Sequence, residues 1–453
     1  MTSTLERGAR PCEDLLAFSG LSLLHIKRQV KLLLGLIGRE GIFDEYTAHD
    51  ISHIDAMLEL AHQLIPRATI EVMTPADHLM ICLSIYFHDM GMLVTRAEFD
   101  QRRASGFPAF RDDVLFGGQR GLDYRAKVEA LAPDRAERFL YQEFVRHTHA
   151  ERVRNWILGR APTALGITHP LAAEIDGLLK PLGVPFRRDL ALVAESHHMD
   201  DLDNLAKYPT SRPYGSTDAE TANVQYAAII LRTVDLMHMT SDRVPSISFN
   251  VIDPSDPISQ VEWAKQRSVT CVRPMAPRNA DGERDDTKSA DTIEVYAYFK
   301  QPDGFFALTK FLKYCGDQIR RSFQWAALAA KSEKAPHQFP WRQIDDEHVE
   351  AEGFIPTQFE FTLDQEKILD LLTGHTLYND SDVVIRELVQ NAVDAVRLQR
   401  LPDDAAKGTV TVKWRSGLRQ LEVEDDGTGM TRVRLRSAHA IIEQYQHVSD
   451  AFH

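Results

Sequence analysis

From Leu21 to about Met239, apolar residues recur at three- and four-residue spacing, as in Ile54, Met57, Leu58, Ala61 and Ile65. That period is the mark of helices with one buried face, and it predicts a largely α-helical first domain over residues 1–245. The most apolar stretch, HLMICLSIYFHDMGM (residues 78–92), reads as a buried helix that nevertheless ends on a histidine beside an aspartate. The stretch AEFDQRRASGFPAFRDDVLFGGQRGLDYR breaks the period and is rich in charge, Gly and Arg, so it reads as a long surface insertion. Its FGGQRG is read as plain loop rather than a phosphate loop.

After Pro245 the texture changes. SISFNVI, SVTCVRPM and DTIEVYAYF read as short strands, and FFALTKFLKYCGDQIRRSFQWAALAA as a helix, giving a small α/β region over 246–330. KSEKAPHQFPWRQIDDEHVEAEGFIP carries Pro and charge and reads as a linker over 331–355. A further domain, 356–453, returns to helix with FTLDQEKILDLLTGHTLYNDSDVVIRELVQNAVDAVRLQ and then to the strand-like TVTVKW and QLEVED. No internal repeat is visible.

At 453 residues the chain exceeds what one core normally supports, which agrees with several domains. Its 43% hydrophobic and 26% charged residues are those of an ordinary soluble protein. No run approaches the roughly 20 apolar residues of a membrane span, so no membrane partner is expected. The N-terminus has neither signal nor transit pattern, and a cytoplasmic protein is expected. Cys12, Cys82, Cys271 and Cys315 are scattered without a C-x-x-C pair and read as packing thiols. A formal charge of −14 disfavours broad adhesion to duplex DNA or anionic membrane and tilts the expectation towards small nucleotides.

The histidines give the pattern its chemistry. His53 lies on the apolar helix before the HLMICLSIYFHDMGM run, His88 and Asp89 end that run, and VRHTHAERV, AESHHMDD and LRTVDLMHM follow with His147 and His149, His197 and His198, and Asp235. Imidazoles and carboxylates ligate borderline and hard divalent ions, and a carboxylate has two oxygens with which to bridge a pair. His49, His62, His78 and His238 are read as hydrogen-bonded core histidines. The order His53, His88-Asp89, His149, His197-His198, Asp235 resembles the HD superfamily of metal-dependent phosphohydrolases, most closely its members with extra histidines and two metals.

That resemblance implies His53, His88, Asp89 and Asp235 around one ion, with Asp89 bridging to a second held by His149, His197 and His198, and with His88 and Asp89 as the catalytic pair. Of His147 and His149, either could be the ligand on the residues alone. Two divalent ions, drawn from Mn, Fe, Co, Ni or Zn, would polarise phosphate oxygens and activate a water for in-line attack. Arg146, Arg152 and Arg232, each near a ligand in sequence, are candidates to hold phosphate.

In VVIRELVQNAVDAVRLQ, Glu387, Asn391 and Asp394 form a polar stripe at i, i+4 and i+7, opposite Ile385, Val389, Ala392 and Val396. LEVEDDGTGMT then ends a strand with Asp425, Gly427 and Gly429. RELVQNAVDA together with DDGTGM resembles the GHKL ATPases, and RELVQNAVDA is close to the version of the first motif in the ninety-kilodalton heat-shock chaperone. The resemblance implies a partial α+β GHKL (Bergerat) domain that takes Mg-ATP. Glu387 would orient the attacking water, Asn391 would hold Mg²⁺, Asp425 would accept the adenine amino group, and Asp394, Gly427 and Gly429 would line the nucleotide. The tail TRVRLRSAHAIIEQYQHVSDAFH has no glycine for the later lid, so ATP hydrolysis by this chain is not expected.

The reading is therefore a mainly α-helical HD domain, a small α/β region and a partial GHKL domain. Together they would make a phosphohydrolase acting on a nucleotide, gated by the ATPase-like domain in bacterial stress or antiviral defence. Two alternatives stand beside it: a nuclease on single-stranded nucleic acid, and an ATP-switched chaperone-like or signalling module with a non-catalytic HD domain. Homo-oligomerisation is left open.

Overall fold

The computed structural model describes residues 3–38, 42–43, 50–117, 125, 128–129, 131–163, 166–241, 263–275, 279, 290–332, 337–356, 382–400, 408–416 and 420–429. The chain divides into two compact units, Met1–Pro356 and Thr357–His453. The expected strand SISFNVI, the first part of the helix predicted from FTLDQEKI onward, the tail after Gly429 and His49 lie outside the described residues.

The first unit is built on helices: α1 (Thr4–Ala9), α2 (Leu23–Leu34), α3 (Ile51–Leu64), α4 (Pro75–Phe87), α5 (Pro133–Ile157), α6 (Pro170–Leu179), α7 (Val184–Glu195) and α8 (Val224–Met237). Their starts are written in the sequence. Asp50 caps α3 by accepting from Ser52 N and His53 N, and Thr74 caps α4 in a reciprocal box with Asp77, with Pro75 at the first turn. Asn223 does the same for α8 through Tyr226 N. α4 is buried along its whole length from Ala76 to Phe87, so it is the central rod on which the other helices pack. Part of the expected surface insertion is also helical, over Phe107–Phe116, and Gly118–Gly121 of FGGQRG lie outside the described residues.

The α/β region shares this core. Val269, Val272, Ile293, Val295, Phe299 and Phe305 belong to one buried cluster with Leu58, Leu83 and Val234. Strand β1 (Val269–Pro274) runs antiparallel to β2 (Thr292–Phe299), with Val272 opposite Val295 and a register shift between Val269 and Cys271. α9 (Pro302–Ala329) follows, with Leu308, Leu312, Cys315 and Ile319 buried at helical spacing. The segment expected to be a linker instead contributes two strands, β3 (Gln343–Asp345) and β4 (Val349–Ala351), both parallel to β2: Ile293 pairs with Ile344, and Tyr298 with Glu350. Trp341, just before them, is buried and donates its indole N–H to Leu64 O at 2.8 Å. That burial, rather than strand propensity, ties the segment to the body.

The second unit holds α10 (Asp382–Arg400) and an antiparallel hairpin, β5 (Val410–Arg415) and β6 (Gln420–Asp425), in which Val412 faces Val423.

Candidate metal centre

The residues expected to be ligands are brought to one place. His53 comes from the first turn of α3, His88 and Asp89 from the end of α4, His149 from the middle of α5, His197 and His198 from the 3₁₀ turn Ser196–His198 after α7, and Asp235 from the last turn of α8. Two groups of donor atoms result, His53 with His88 and Asp89, and His149 with His197 and His198; within each, all donors lie within 4.8 Å of one another.

Asp89 joins the two groups. Its Oδ2 is 3.0 Å from His88 Nε2 and 3.4 Å from His53 Nε2, while Oδ1 is 3.8 Å from His149 Nε2. Asp235 Oδ1 stands 3.7 Å from His88 Nε2 and is the more solvated carboxylate, 29% exposed against 9% for Asp89. The close approach of α5 needs glycine at position 91. A Cβ there would lie 2.0 Å from the His149 carbonyl oxygen.

The imidazoles are locked by backbone. His88 Nδ1 donates to Ile85 O at 2.9 Å, His149 Nδ1 to Arg146 O at 2.7 Å and His197 Nδ1 to Ala194 O at 2.8 Å. Each ring thus turns its Nε2 inward. His149 Nε2 and His197 Nε2 face each other at 3.0 Å, and with both Nδ1 atoms protonated neither has a hydrogen to offer the other. His88 Nε2 is buried, with Asp89 Oδ2 at 3.0 Å and Asp235 Oδ1 at 3.7 Å. Imidazole nitrogens converging beside two carboxylates are the donor set that divalent cations satisfy, so the residues fit the expected metals.

Protonation follows the same division. Burial, then the neighbouring imidazoles, pushes His197 well below its usual range, and burial lowers His149. Loss of solvent around its ring, then His149, brings His198 down to about 4, so this trio stays neutral at pH 7. Burial opposes charging His88 too, but Asp89 and Asp235 outweigh it and raise His88 to about 9. The negative field that holds a proton there is the field that would attract a cation.

His147 is exposed and its ring lies 5.6 Å from that of Phe110, so the structure brings His149, and not its neighbour, to the cluster. Two arginines expected to meet phosphate have other work. Arg152 donates to Gly91 O and Leu93 O, each at 2.7 Å, and pairs with Glu98, which ties α5 to the turn after Asp89. Arg232 donates to the carbonyls of Met199, His197 and Ser196, pairs with Asp200 at 3.1 Å and reaches Gln318 on α9. Both guanidiniums hold turns that carry candidate ligands: all three nitrogens of Arg152 are engaged, and both terminal nitrogens of Arg232. Arg146 pairs with Glu143 one turn away.

Of the histidines read as core, His238 proves closest to the site. Its Nδ1 is 2.7 Å from His53 Nδ1, so it fixes the ring of that ligand. His78 packs its ring over Gly8. Sequence spacing did not mark His238, Gln318, Glu98 or Gly91 as parts of the centre; only the HDMG run hinted at the last. A further cluster, Glu294, Asp345 and His348, also lies within reach of one point, but Glu294 already pairs with Arg273 at 3.0 Å and His348 stacks on Tyr296.

In the second unit, Asn391 and Asp394 are exposed on α10, and Asp394 accepts from Gln390 at 3.0 Å. Asp425 Oδ1 accepts from Gly427 N at 2.9 Å. Gly427 rests on α10, where a Cβ would come within 2.5 Å of the Ala395 carbonyl carbon, and Gly429 takes φ +64°. The helix and the glycine turn are thus adjacent. Glu387 lies on α10, and its side chain lies outside the described residues.

With that geometry established, comparison with known proteins gives a clear result for the first unit. The HD-CE family model matches residues 43–321, more than half of the chain. The chain belongs to the HD-CE family. This HD-CE match spans the metal centre, the first two strands and most of α9. Separately, part of the chain is similar to heat-shock chaperones. It is 36% identical to the chaperone protein HtpG of Nitrobacter winogradskyi over 86 residues, 17% of this chain and 13% of that protein. It is 38% identical to HtpG of Streptomyces coelicolor over 81 residues, 16% of this chain and 12% of the relative. Bovine mitochondrial heat shock protein 75 kDa is 34% identical over 105 residues, 20% of this chain and 13% of that protein. The chain thus spans about an eighth of the length of these relatives. No solved structure matches it. Among the described residues, no helix is long and apolar enough to cross a membrane.

Proposed function

We propose that this HD-CE protein is a metal-dependent phosphohydrolase that cleaves a phosphoester or phosphodiester of a nucleotide. The observation that carries the reading is the position of Asp89, whose two oxygens face the two histidine groups. Divalent ions, when bound, would supply Lewis acidity and an activated water. The chain's own part is to hold His53, His88 and Asp89 on one side, and His149, His197 and His198 on the other, in fixed tautomers. Three backbone carbonyls, the His238 contact and the Arg152 and Arg232 clamps do this. Burial keeps the second trio neutral and ready to donate. Asp235, the most solvated of the acidic ligands, marks the side on which substrate would enter.

For the second unit, the HtpG likeness and the adjacency of Gly427 to α10 support an ATP site using Asn391 and Asp425, whose occupancy would gate the hydrolase. The test for the whole reading is a screen of nucleotides and single-stranded oligonucleotides with Mn²⁺, with and without ATP. Phosphate or nucleoside release from a mononucleotide that is lost in His88→Ala/Asp89→Ala supports it. Release that survives this change assigns the activity elsewhere, and cleavage of oligonucleotides alone makes the chain a nuclease. A rate indifferent to ATP removes the gating.

A further inference from the structure

A cavity of about 460 Å³ lies behind the metal centre, lined in part by Asp55 of α3 and Tyr86 of α4. Asp55 is two positions after His53 and Tyr86 two before His88, so each points roughly 200° around its helix from the neighbouring ligand. The cavity therefore sits on the reverse faces of the two helices that carry the HD pair and the first histidine.

α2 turns one stripe towards it. Leu24, Lys27, Arg28 and Lys31, at i, i+3, i+4 and i+7, line the cavity, while Ile26, Val30 and Leu34 of the same helix are in the core. The acidic groups around the cavity are already satisfied. Tyr86 donates its hydroxyl to Glu6, Lys27 Nζ lies 2.6 Å from Glu6 and 2.5 Å from Asp55, and Glu13 accepts from Leu23 N at 2.8 Å. The side chains of Arg10, Arg28 and Lys31 are exposed and have no ion-pair or hydrogen-bond partner among the described residues. The lining carries four cations, Arg10, Lys27, Arg28 and Lys31, against the three carboxylates of Glu6, Glu13 and Asp55, and the three cations other than Lys27 stand at the rim, where they can meet an anion. Leu24 and Ile51 give an apolar wall for an uncharged portion, and the volume lies within the roughly 300 to 1,000 Å³ of small-molecule sites.

We propose that this cavity is a second ligand site, separate from the metal centre, for a small phosphorylated molecule of nucleotide class. Its phosphates would lie against Arg10, Arg28 and Lys31. The proposal stands whether or not the metal centre is hydrolytic.

The test uses the full chain carrying Asp89→Asn and Asp425→Asn, which disables the metal bridge and the expected adenine contact. ATP and sodium tripolyphosphate are titrated into it by calorimetry without divalent metal. Binding is expected to persist and to weaken about tenfold or more when Arg28→Glu/Lys31→Glu is added. Both positions are exposed, so an unchanged thermal unfolding midpoint serves as the folding control. Equal binding of both probes assigns the affinity to the phosphates, and preference for ATP adds a contribution from the base on the apolar wall. No binding in the Asp89→Asn/Asp425→Asn protein, or an affinity indifferent to the charge reversal, overturns the proposal.

Discussion

His149 Nε2 and His197 Nε2 face each other at 3.0 Å while both Nδ1 atoms donate outward to backbone carbonyls. Two lone pairs at that distance repel unless a cation lies among them. His197→Ala should therefore weaken one of two Mn²⁺ binding events by about 10- to 100-fold and leave the other in place. Calorimetric titration of metal-free protein measures both.

Gly91 is the point where the turn after Asp89 meets α5. A methyl group there would collide with the His149 carbonyl at 2.0 Å, so Gly91→Ala must push α5 away. The expected result is destabilisation of about 1–3 kcal/mol in thermal or urea unfolding. Metal binding by the His149 group should be lost before that by His53 and His88, because only the former rides on α5.

Much of this centre was legible in the sequence. The donors sit at helix ends and on apolar faces, where a polar residue must have a reason, and their order along the chain carried the HD resemblance. Direction was less legible. Arg152 and Arg232 neighbour ligands in sequence, but their guanidiniums fold back onto carbonyls of other turns, which no local spacing encodes. β3 and β4 were missed because three-residue parallel strands are too short to show a period and owe their place to β2 and to buried Trp341.

Arg232 couples the α/β region to the centre, since it holds the carbonyls of Ser196, His197 and Met199 and also meets Gln318 of α9. Arg232→Met strands these carbonyls at about 1–3 kcal/mol in stability and should lower metal affinity at the His197 side roughly 10- to 100-fold. Gln318→Leu should move both quantities in the same direction by less. Circular dichroism melts and metal titration check the pair.

Glu98 predicts an acid limit. Burial would raise its carboxyl, but Arg152 and His169 hold it down to about 2. A depressed acid contributes stability that is complete above its unfolded value, near 4.5, and is lost as pH falls towards 2. The contribution is on the order of 3 kcal/mol. Glu98→Gln should be less stable at pH 7, and the gap to wild type should close between about pH 4.5 and 2. Urea unfolding across that range measures it.

The central claim is that Asp89 bridges two metal positions. Elemental analysis of protein stripped by chelation, reconstituted with Mn²⁺ and freed of excess metal tests it most directly. The account predicts about two ions per chain for wild type and a fall below one for His88→Ala/Asp89→Ala. Fewer than one ion per wild-type chain after reconstitution would contradict it.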